Sequence, residues 1–386
     1  MLTALTARTA LTPAGPIHDA VVVIDDGRIV DVGTRSSVTV PEGARTVDCA
    51  DHVLAPGYVD IHIHGAAGHD VMHADADGLA AVQRKLAQHG VTSYCPTTVT
   101  APLDPTLRAL ERLAGAIEAA EQGTTAGQAQ PVGIHIEGPF LSHARRGVHP
   151  PADLVPPSIE LFERFWEAAR GRIRVMTIAP ELAGAAKLIA HASRRGVVCS
   201  LGHSDSTAEP VRAAIAAGAR HATHTFNAMR PLDHREPGIL GIVLDDPRLT
   251  ADIIADGVHV DPAMVDLFLK AKGAGGAVLI TDAISATGMG DGTYQLGSFQ
   301  VEVRGPRCLH EGKLAGSVLT LDRAVRNVME FSGWGLAEVA PLASRNPARV
   351  LGADARKGIL APGADADIVV LSAAGEIIRT VCRGAV

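Results

Sequence analysis

His62 and His64 flank a single isoleucine at the end of the apolar run YVDIHIHG, residues 58–65. Side chains two apart on a strand face the same side, so both imidazoles can turn toward one cation. An HxH pair alone is a weak signal, because two histidines are equally satisfied by backbone hydrogen bonds; Asp60 beside this pair favours the metal. Glu137 lies in GIHIEGPF, within an apolar strand and ahead of Gly-Pro. A carboxylate there needs a cation or an arginine, because burying it alone costs on the order of several kcal/mol. His135 shares the face of Glu137 and reads as a core histidine. His203 in SLGHSDS and His224 in ATHTFNAM close two further runs. With Glu137 they make one carboxylate and two imidazoles, the donor set of a catalytic zinc or iron site that keeps a position open for water. Asp282, in LITDA, is a second carboxylate. A metal lowers the pKa of a bound water, and an aspartate beside it can take that proton and return it to a leaving group. The other reading of Asp282 is a helix N-cap. His221 is expected to face away from the site, against helices or solvent, and His69, His73, His89, His191 and His234 carry no assigned role.

The elements that must position these residues have a regular rhythm between Leu54 and Ser344. Eight strand-like runs recur, at 58–65, 91–98, 132–139, 173–181, 197–204, 221–228, 250–259 and 277–283. Helical stretches such as 77–90, 182–196 and 208–218 lie between them, several ending at glycine, the usual residue just past a helix. The connection over 229–249 is the weakest, with room for a short helix only. Eight alternating units over about 290 residues predict a (β/α)8 barrel, whose active site lies at the C-terminal strand ends. His62, His64, Glu137, His203, His224, His259 and Asp282 all fall at or near such ends.

Both termini read differently. AVVVID and RIVDVG flank an Asp26-Gly27 hairpin turn, and 366–372 and 377–384 are strand-like. Neither end makes a stable sheet alone, which predicts a small β-sandwich built from both. The expected division is 1–53 and 345–386 for the sandwich and 54–344 for the barrel.

Composition removes several classes. The net charge of −7, from 35 basic and 42 acidic residues, offers no general field for a nucleic-acid backbone. The five cysteines are scattered with no CxxC, so neither a disulfide framework nor a thiolate zinc site is indicated. No apolar run approaches the roughly 18 residues of a membrane span, and MLTALTARTALTPAGP lacks the pattern of a secretory signal. A soluble, cytoplasmic protein is expected. Two loops suggest an anionic small-molecule substrate. ARRGVHP (144–150) and HREPG (234–238) place Arg145, Arg146, His149 and Arg235 after the third and sixth strands. Arginine suits bidentate phosphate contacts, although Arg145 and Arg146 read as solvated surface charge and Arg235 alone as the phosphate candidate; the Asn227-Ala228 turn can offer backbone N–H groups to phosphate.

Taken together, the chain resembles the amidohydrolase superfamily and, within it, the N-acetylglucosamine-6-phosphate deacetylases. The resemblance spans essentially the whole chain and rests on seven ordered motifs: HIEGPF (135–140), LGHSD (201–205), THTFNAM (223–229), REPG (235–238), IADGVHV (254–260), TDA (281–283) and LAGS (314–317). It implies that Glu137, His203 and His224 hold the main metal, that Asp282 is general base and then acid, and that His259 polarises the acetyl carbonyl. It implies that Asn227, Ala228 and Arg235 receive the sugar phosphate, Arg235 reaching the neighbouring subunit of a homodimer. His149, Asp256, Leu314, Ala315 and Gly316 would line the sugar and acetyl pocket, with residues 141–151 as the candidate lid. The retained His62 and His64 imply a second metal bridged by Glu137, with Asp282 as a further ligand. The cofactor is then one or two divalent metals per subunit, zinc or iron first, manganese or cobalt as alternatives. The implied reaction releases acetate and glucosamine 6-phosphate, in amino-sugar catabolism and cell-wall sugar recycling. Relatives acting on cyclic amides or aminated bases fit less well. Strand four, RVMTIAPE, has no lysine to bridge two metals, and no glutamate stands two residues after His203. A non-enzymatic scaffold would be expected to lose the ligand residues kept here.

Overall fold

The computed structural model describes residues 2–123 and 125–385. Eight parallel strands form the centre: Tyr58–Ile63, Val91–Thr98, Ile134–Glu137, Ile173–Ile178, Val198–Leu201, His221–Ala222, Ala251–Ile254 and Ala277–Ile280. The first six pair in order and the last two pair with each other. Two joints close the ring. Ala222 N–H donates to Thr250 O at 3.0 Å, and Thr225 N–H to Asp252 O at 2.9 Å. On the other side Ile63 bridges Ala283, and Asp282 N–H donates to His62 O at 2.9 Å. The sixth strand is only two residues long, against the eight that the sequence suggests, because the chain turns sharply after Ala222.

Both faces of these strands are covered: every residue of Tyr58–Ile63 and of Val91–Thr98 is buried, the polar Thr92, Ser93 and Thr97 included. Each fully buried valine or isoleucine in such a core contributes about 1.5–3 kcal/mol. A helix follows each strand, and local chemistry fixes where helices begin. Asp75 Oδ1 accepts the Gly78 N–H ahead of Ala76–Gln88, Ser158 accepts Leu161 N–H, and Asp261 with Pro262 opens the helix of strand seven. The weak sixth connection contains a short helix, Gly238–Asp245.

Both ends of the chain enter one six-stranded sheet. Its order is Ile377–Val381, Ile368–Leu371, Arg45–Pro56, Thr3–Thr12, Gly15–Asp25 and Arg28–Thr34. The expected hairpin is present, with Asp25 opposite Arg28 and Asp26 and Gly27 both at positive φ. An apolar cluster including Leu5, Val22, Ile24, Leu54, Ile368 and Val370 holds the sheet together.

One element has no counterpart in the sequence reading. Between strand eight and its helix, Leu321–Ser332, the chain makes a four-stranded meander: Gly292–Leu296, Phe299–Arg304, Arg307–His310 and Lys313–Leu314. Its inner residues Leu296, Val301, Val303 and Cys308 pack with Val99, Ile284 and Ala315. Asp70 Oδ2 accepts Gly297 N–H at 2.7 Å and His73 Nε2 donates to Gly297 O at 2.8 Å, which fastens the meander over the barrel mouth.

Candidate metal centre and active site

Six buried side chains converge at the C-terminal strand ends. His62 lies in the first strand, His64 one residue beyond it, and Glu137 ends the third; His203, His224 and Asp282 each lie two residues beyond the fifth, sixth and eighth strands. The last three share a feature that side-chain patterning does not reveal. Their φ values are +47°, +30° and +50°, in a region that costs a non-glycine residue on the order of 1–2 kcal/mol. The bend turns each side chain from the strand direction toward the barrel axis. At His224 a buried partner holds the bend: Asp252 Oδ1 accepts the His224 N–H. Asp252 Oδ2 in turn accepts from His221 Nε2 at 2.9 Å. His221 therefore does face away from the cluster, but it is fully buried and paired rather than solvated.

Glu137 is the hub. Its Oε1 lies 3.2 Å from His203 Nε2, 3.1 Å from His224 Nε2 and 3.5 Å from His62 Nε2. Its Oε2 lies 3.3 Å from His64 Nε2. Asp282 Oδ1 is 3.1 Å from His64 Nε2 and 3.6 Å from His62 Nε2. Burial pushes the Glu137 carboxyl up, but the His62 charge and the close contacts with His149, His203 and His224 outweigh it and hold it well below the carboxylate range. Asp282 is held down likewise, to about 2, by His62 and His64 against burial and Glu137.

The donor set fits a divalent cation. His64 Nδ1 donates to Thr97 O at 3.0 Å and His203 Nδ1 to Arg145 O at 3.0 Å. In its neutral form, the form that binds a metal, each ring then turns a bare Nε2 toward the carboxylates; until a cation replaces its proton, hydrogen bonds to Asp282 and Glu137 hold His64, against burial, well above its ordinary pKa. His62, His64 and Asp282 form one compact donor group, and Glu137, His149 and His203 another. His149 belongs to the second by distance only. Its Nδ1 accepts Thr100 N–H at 3.3 Å, which leaves the hydrogen of the neutral ring on Nε2, facing Glu137 Oε2 at 3.5 Å. It enters the site as a donor, whereas His224, touching both Glu137 and His203, would complete the ligand set once a cation replaces its proton.

Around the cluster, His135 stacks edge-on against His62 with ring centroids 4.6 Å apart. It donates to Ile61 O at 3.1 Å and meets Thr177 Oγ1 at 2.8 Å, and burial drives its pKa well below the ordinary value. Asp60 Oδ2 accepts the Thr281 hydroxyl at 2.6 Å, while burial raises its carboxyl to about 6.

The cluster floors a cavity of about 240 Å³ whose walls include His149, Asn227, Ala228, His259 and Leu314–Gly316, with Leu296 from the meander. A larger cavity, about 380 Å³, lies between the terminal sheet and the barrel base but has no imidazole or carboxylate. Several expected residues sit differently from the sequence reading. Asn227 N–H is donated to His224 O at 2.9 Å, which takes it away from a phosphate. Asp256 lies behind His259, its Oδ2 2.7 Å from His259 Nδ1. Asp282 caps no helix, since a loop and the meander follow it. Arg145 pairs with Asp205 at 2.8 Å. Arg235 is exposed on the loop after strand six and is not part of this cavity's wall. The candidate lid, 141–151, contains a 3-10 turn at His143–Arg145 and supplies Gly147, Val148 and His149 to the wall.

The amidohydrolase family profile matches residues 53–386. This chain belongs to the amidohydrolase family. The N-acetylglucosamine-6-phosphate deacetylase of Bacillus subtilis (strain 168) is 39% identical, over 95% of this chain and 92% of its own. The N-acetylgalactosamine-6-phosphate deacetylase of Escherichia coli O157:H7 is also 39% identical, over 95% and 94%. A mutant N-acetyl-D-glucosamine-6-phosphate deacetylase from Mycobacterium smegmatis, solved in complex with N-acetyl-D-glucosamine-6-phosphate, superposes with a TM-score of 0.91 at 35% identity, covering 99% and 98% of the two chains. This amidohydrolase is thus a hydrolase of a metal-dependent family, with candidate metal-binding groups at its barrel mouth. Among the described residues no helix is long and apolar enough to cross a membrane.

Proposed function

We propose that this amidohydrolase removes the acetyl group of N-acetylglucosamine 6-phosphate, adding water across the amide to give acetate and glucosamine 6-phosphate. One observation carries the reading: a single carboxylate, Glu137, joins His203 and His224 on one oxygen to His64 on the other, all within 3.3 Å, on a chain that matches deacetylases of such sugar phosphates end to end.

Glu137, His203 and His224 would hold the principal divalent metal, zinc or iron, and His62, His64 and Asp282 a second one that shares Glu137. When bound, such a cation acts as a Lewis acid and makes water nucleophilic at neutral pH. Asp282, kept ionised beside His64, takes a proton from the attacking water and passes it to the amine as the C–N bond breaks. His259 donates to the acetyl oxygen as negative charge builds there, and Leu314–Gly316 and His149 pack the acetyl group and sugar. The Asn227 side chain, the Ala228 peptide and the partner subunit's Arg235 hold the phosphate, which fixes the acetamide over the ligands. That assignment makes the working unit a homodimer, and the cytoplasm, where amino sugars are broken down or recycled from the wall, its place of action.

The C4 epimer, N-acetylgalactosamine 6-phosphate, is the competing substrate, because a relative named for it is as similar as the first. Hydrolysis in heavy-oxygen water tests the chemistry for either sugar. Label in the acetate and none at C2 of the sugar, which keeps its nitrogen, is expected; an oxygen label at C2 would refute attack at the acetyl carbon.

A further inference from the structure

We propose, on the strength of the deacetylase reading, that Asp256 is the positioning residue of His259: it fixes which ring nitrogen faces the cavity and supplies the countercharge that lets His259 act as a cationic donor. Both residues lie on the turn after the strand Ala251–Ile254. Asp256 Oδ2 stands 2.7 Å from His259 Nδ1. Asp256 Oδ1 accepts the N–H of Val258 and of His259, each at 2.8 Å. The two side chains are 8% and 6% exposed, so little water competes for these bonds. The turn is anchored from outside as well. Asn327 Nδ2 donates to Ala255 O at 2.8 Å, and Gly257, at φ +73°, lies close enough to Phe331 that a Cβ would meet its ring at 3.4 Å.

The hydrogen-bond inventory then fixes the ring. An ionised carboxylate has no hydrogen to give, so the hydrogen in the 2.7 Å contact is Nδ1–H. A neutral His259 would therefore turn a bare Nε2 to the cavity, useless to a carbonyl oxygen, which only accepts. The doubly protonated ring alone keeps the Asp256 bond and also offers Nε2–H.

Asp256→Asn tests this with little change of shape. Val258 and His259 N–H need an acceptor, so the amide oxygen stays with them and the NH2 group must face His259 Nδ1. The ring is then forced to accept at Nδ1 and carry its hydrogen on Nε2, as a neutral donor. In the metal-reconstituted protein with nitrogen-labelled histidine, assigned by the signal lost in His259→Gln, long-range proton–nitrogen correlation should find Nδ1 protonated in wild type and bare in Asp256→Asn. The same substitution should lower kcat by about 10- to 100-fold, the usual cost of losing an outer partner, with KM changed by less than roughly twofold. Asp256→Ala, which removes the turn's acceptors too, should lose more. An unchanged ring tautomer, or a rise in KM at unchanged kcat, overturns the assignment. If wild type releases no acetate the deacetylase reading fails, and the ring signals still decide the Asp256–His259 relationship.

Discussion

His203 Nε2 and His224 Nε2 stand 3.0 Å apart, and both reach the same oxygen of Glu137. Because His203 Nδ1–H is committed to Arg145 O, a neutral His203 turns its lone pair toward His224. Something positive must lie between them. Burial drives His203 down to about 4, while Glu137, against burial, pulls His224 up to about 9. One proton can do there what a cation does when bound.

Metal should therefore stabilise the fold. A ligand at about a thousand times its Kd adds roughly 4 kcal/mol to the native state. Thermal unfolding of chelator-treated protein before and after adding zinc or ferrous iron should show a clear rise in midpoint, and His203→Ala should lose most of it. An equal rise in the variant would argue that the metal binds elsewhere.

Asp282→Asn should lower turnover by about 10²-fold or more, the scale of a general acid–base contribution. His62 and His64 remain to hold metal beside Glu137. Elemental analysis together with kinetics checks the prediction: near-normal activity with metal retained would remove the proton-transfer role.

Arg235 is exposed and is not part of this chain's cavity wall, as expected if it serves the neighbouring site of the proposed homodimer. Arg235→Ala should raise KM for the phosphorylated sugar much more than for the unphosphorylated one. Mixing Arg235→Ala with Asp282→Asn protein under subunit exchange should restore activity that neither has alone, since a hybrid dimer contains one site with both groups intact. No recovery, with exchange demonstrated, would place Arg235 outside the neighbouring site.

Much of this centre was legible in the sequence because strands impose a two-residue period. His62 and His64 share a face by that rule, and Glu137 in an apolar strand announces a charge that must be matched. What the sequence does not show depends on contacts between distant segments or on backbone shape. Nothing in THTFNAM signals that His224 bends to positive φ, or that Asp252, 28 residues later, accepts its N–H. His149 was placed at the pocket, yet its donor tautomer follows from Thr100 on a different loop. The meander is not legible as a unit because its strands are short and mix exposed with buried positions, alternating along Phe299–Arg304. Asp256 could have been connected to His259 by their three-residue spacing in ADGVH, the reach of an Asx turn.

Acid should weaken the tie between the N-terminal hairpin and the C-terminal segment of the terminal sheet. Asp365 is buried and meets Lys357 Nζ at 3.0 Å, Arg356 at 3.0 Å and Arg28 at 2.9 Å. Burial pushes its carboxyl up, but Lys357 and then Arg356 outweigh it and hold it below the ordinary value. A carboxyl depressed in the folded state stabilises above its unfolded pKa and loses that contribution as pH falls through the folded one. The wild-type melting midpoint should therefore fall as pH drops below about 4. Asp365→Asn should lose about 1–3 kcal/mol near neutrality and show a flatter acid limb; parallel curves for the two proteins would contradict this.

The most direct test is acetate release by purified protein, metal-stripped and reconstituted, with N-acetylglucosamine 6-phosphate and with the unphosphorylated sugar. Metal-dependent release from the phosphorylated sugar, with the unphosphorylated one far slower, is the predicted result. No release from either sugar by protein shown to contain metal would contradict the account.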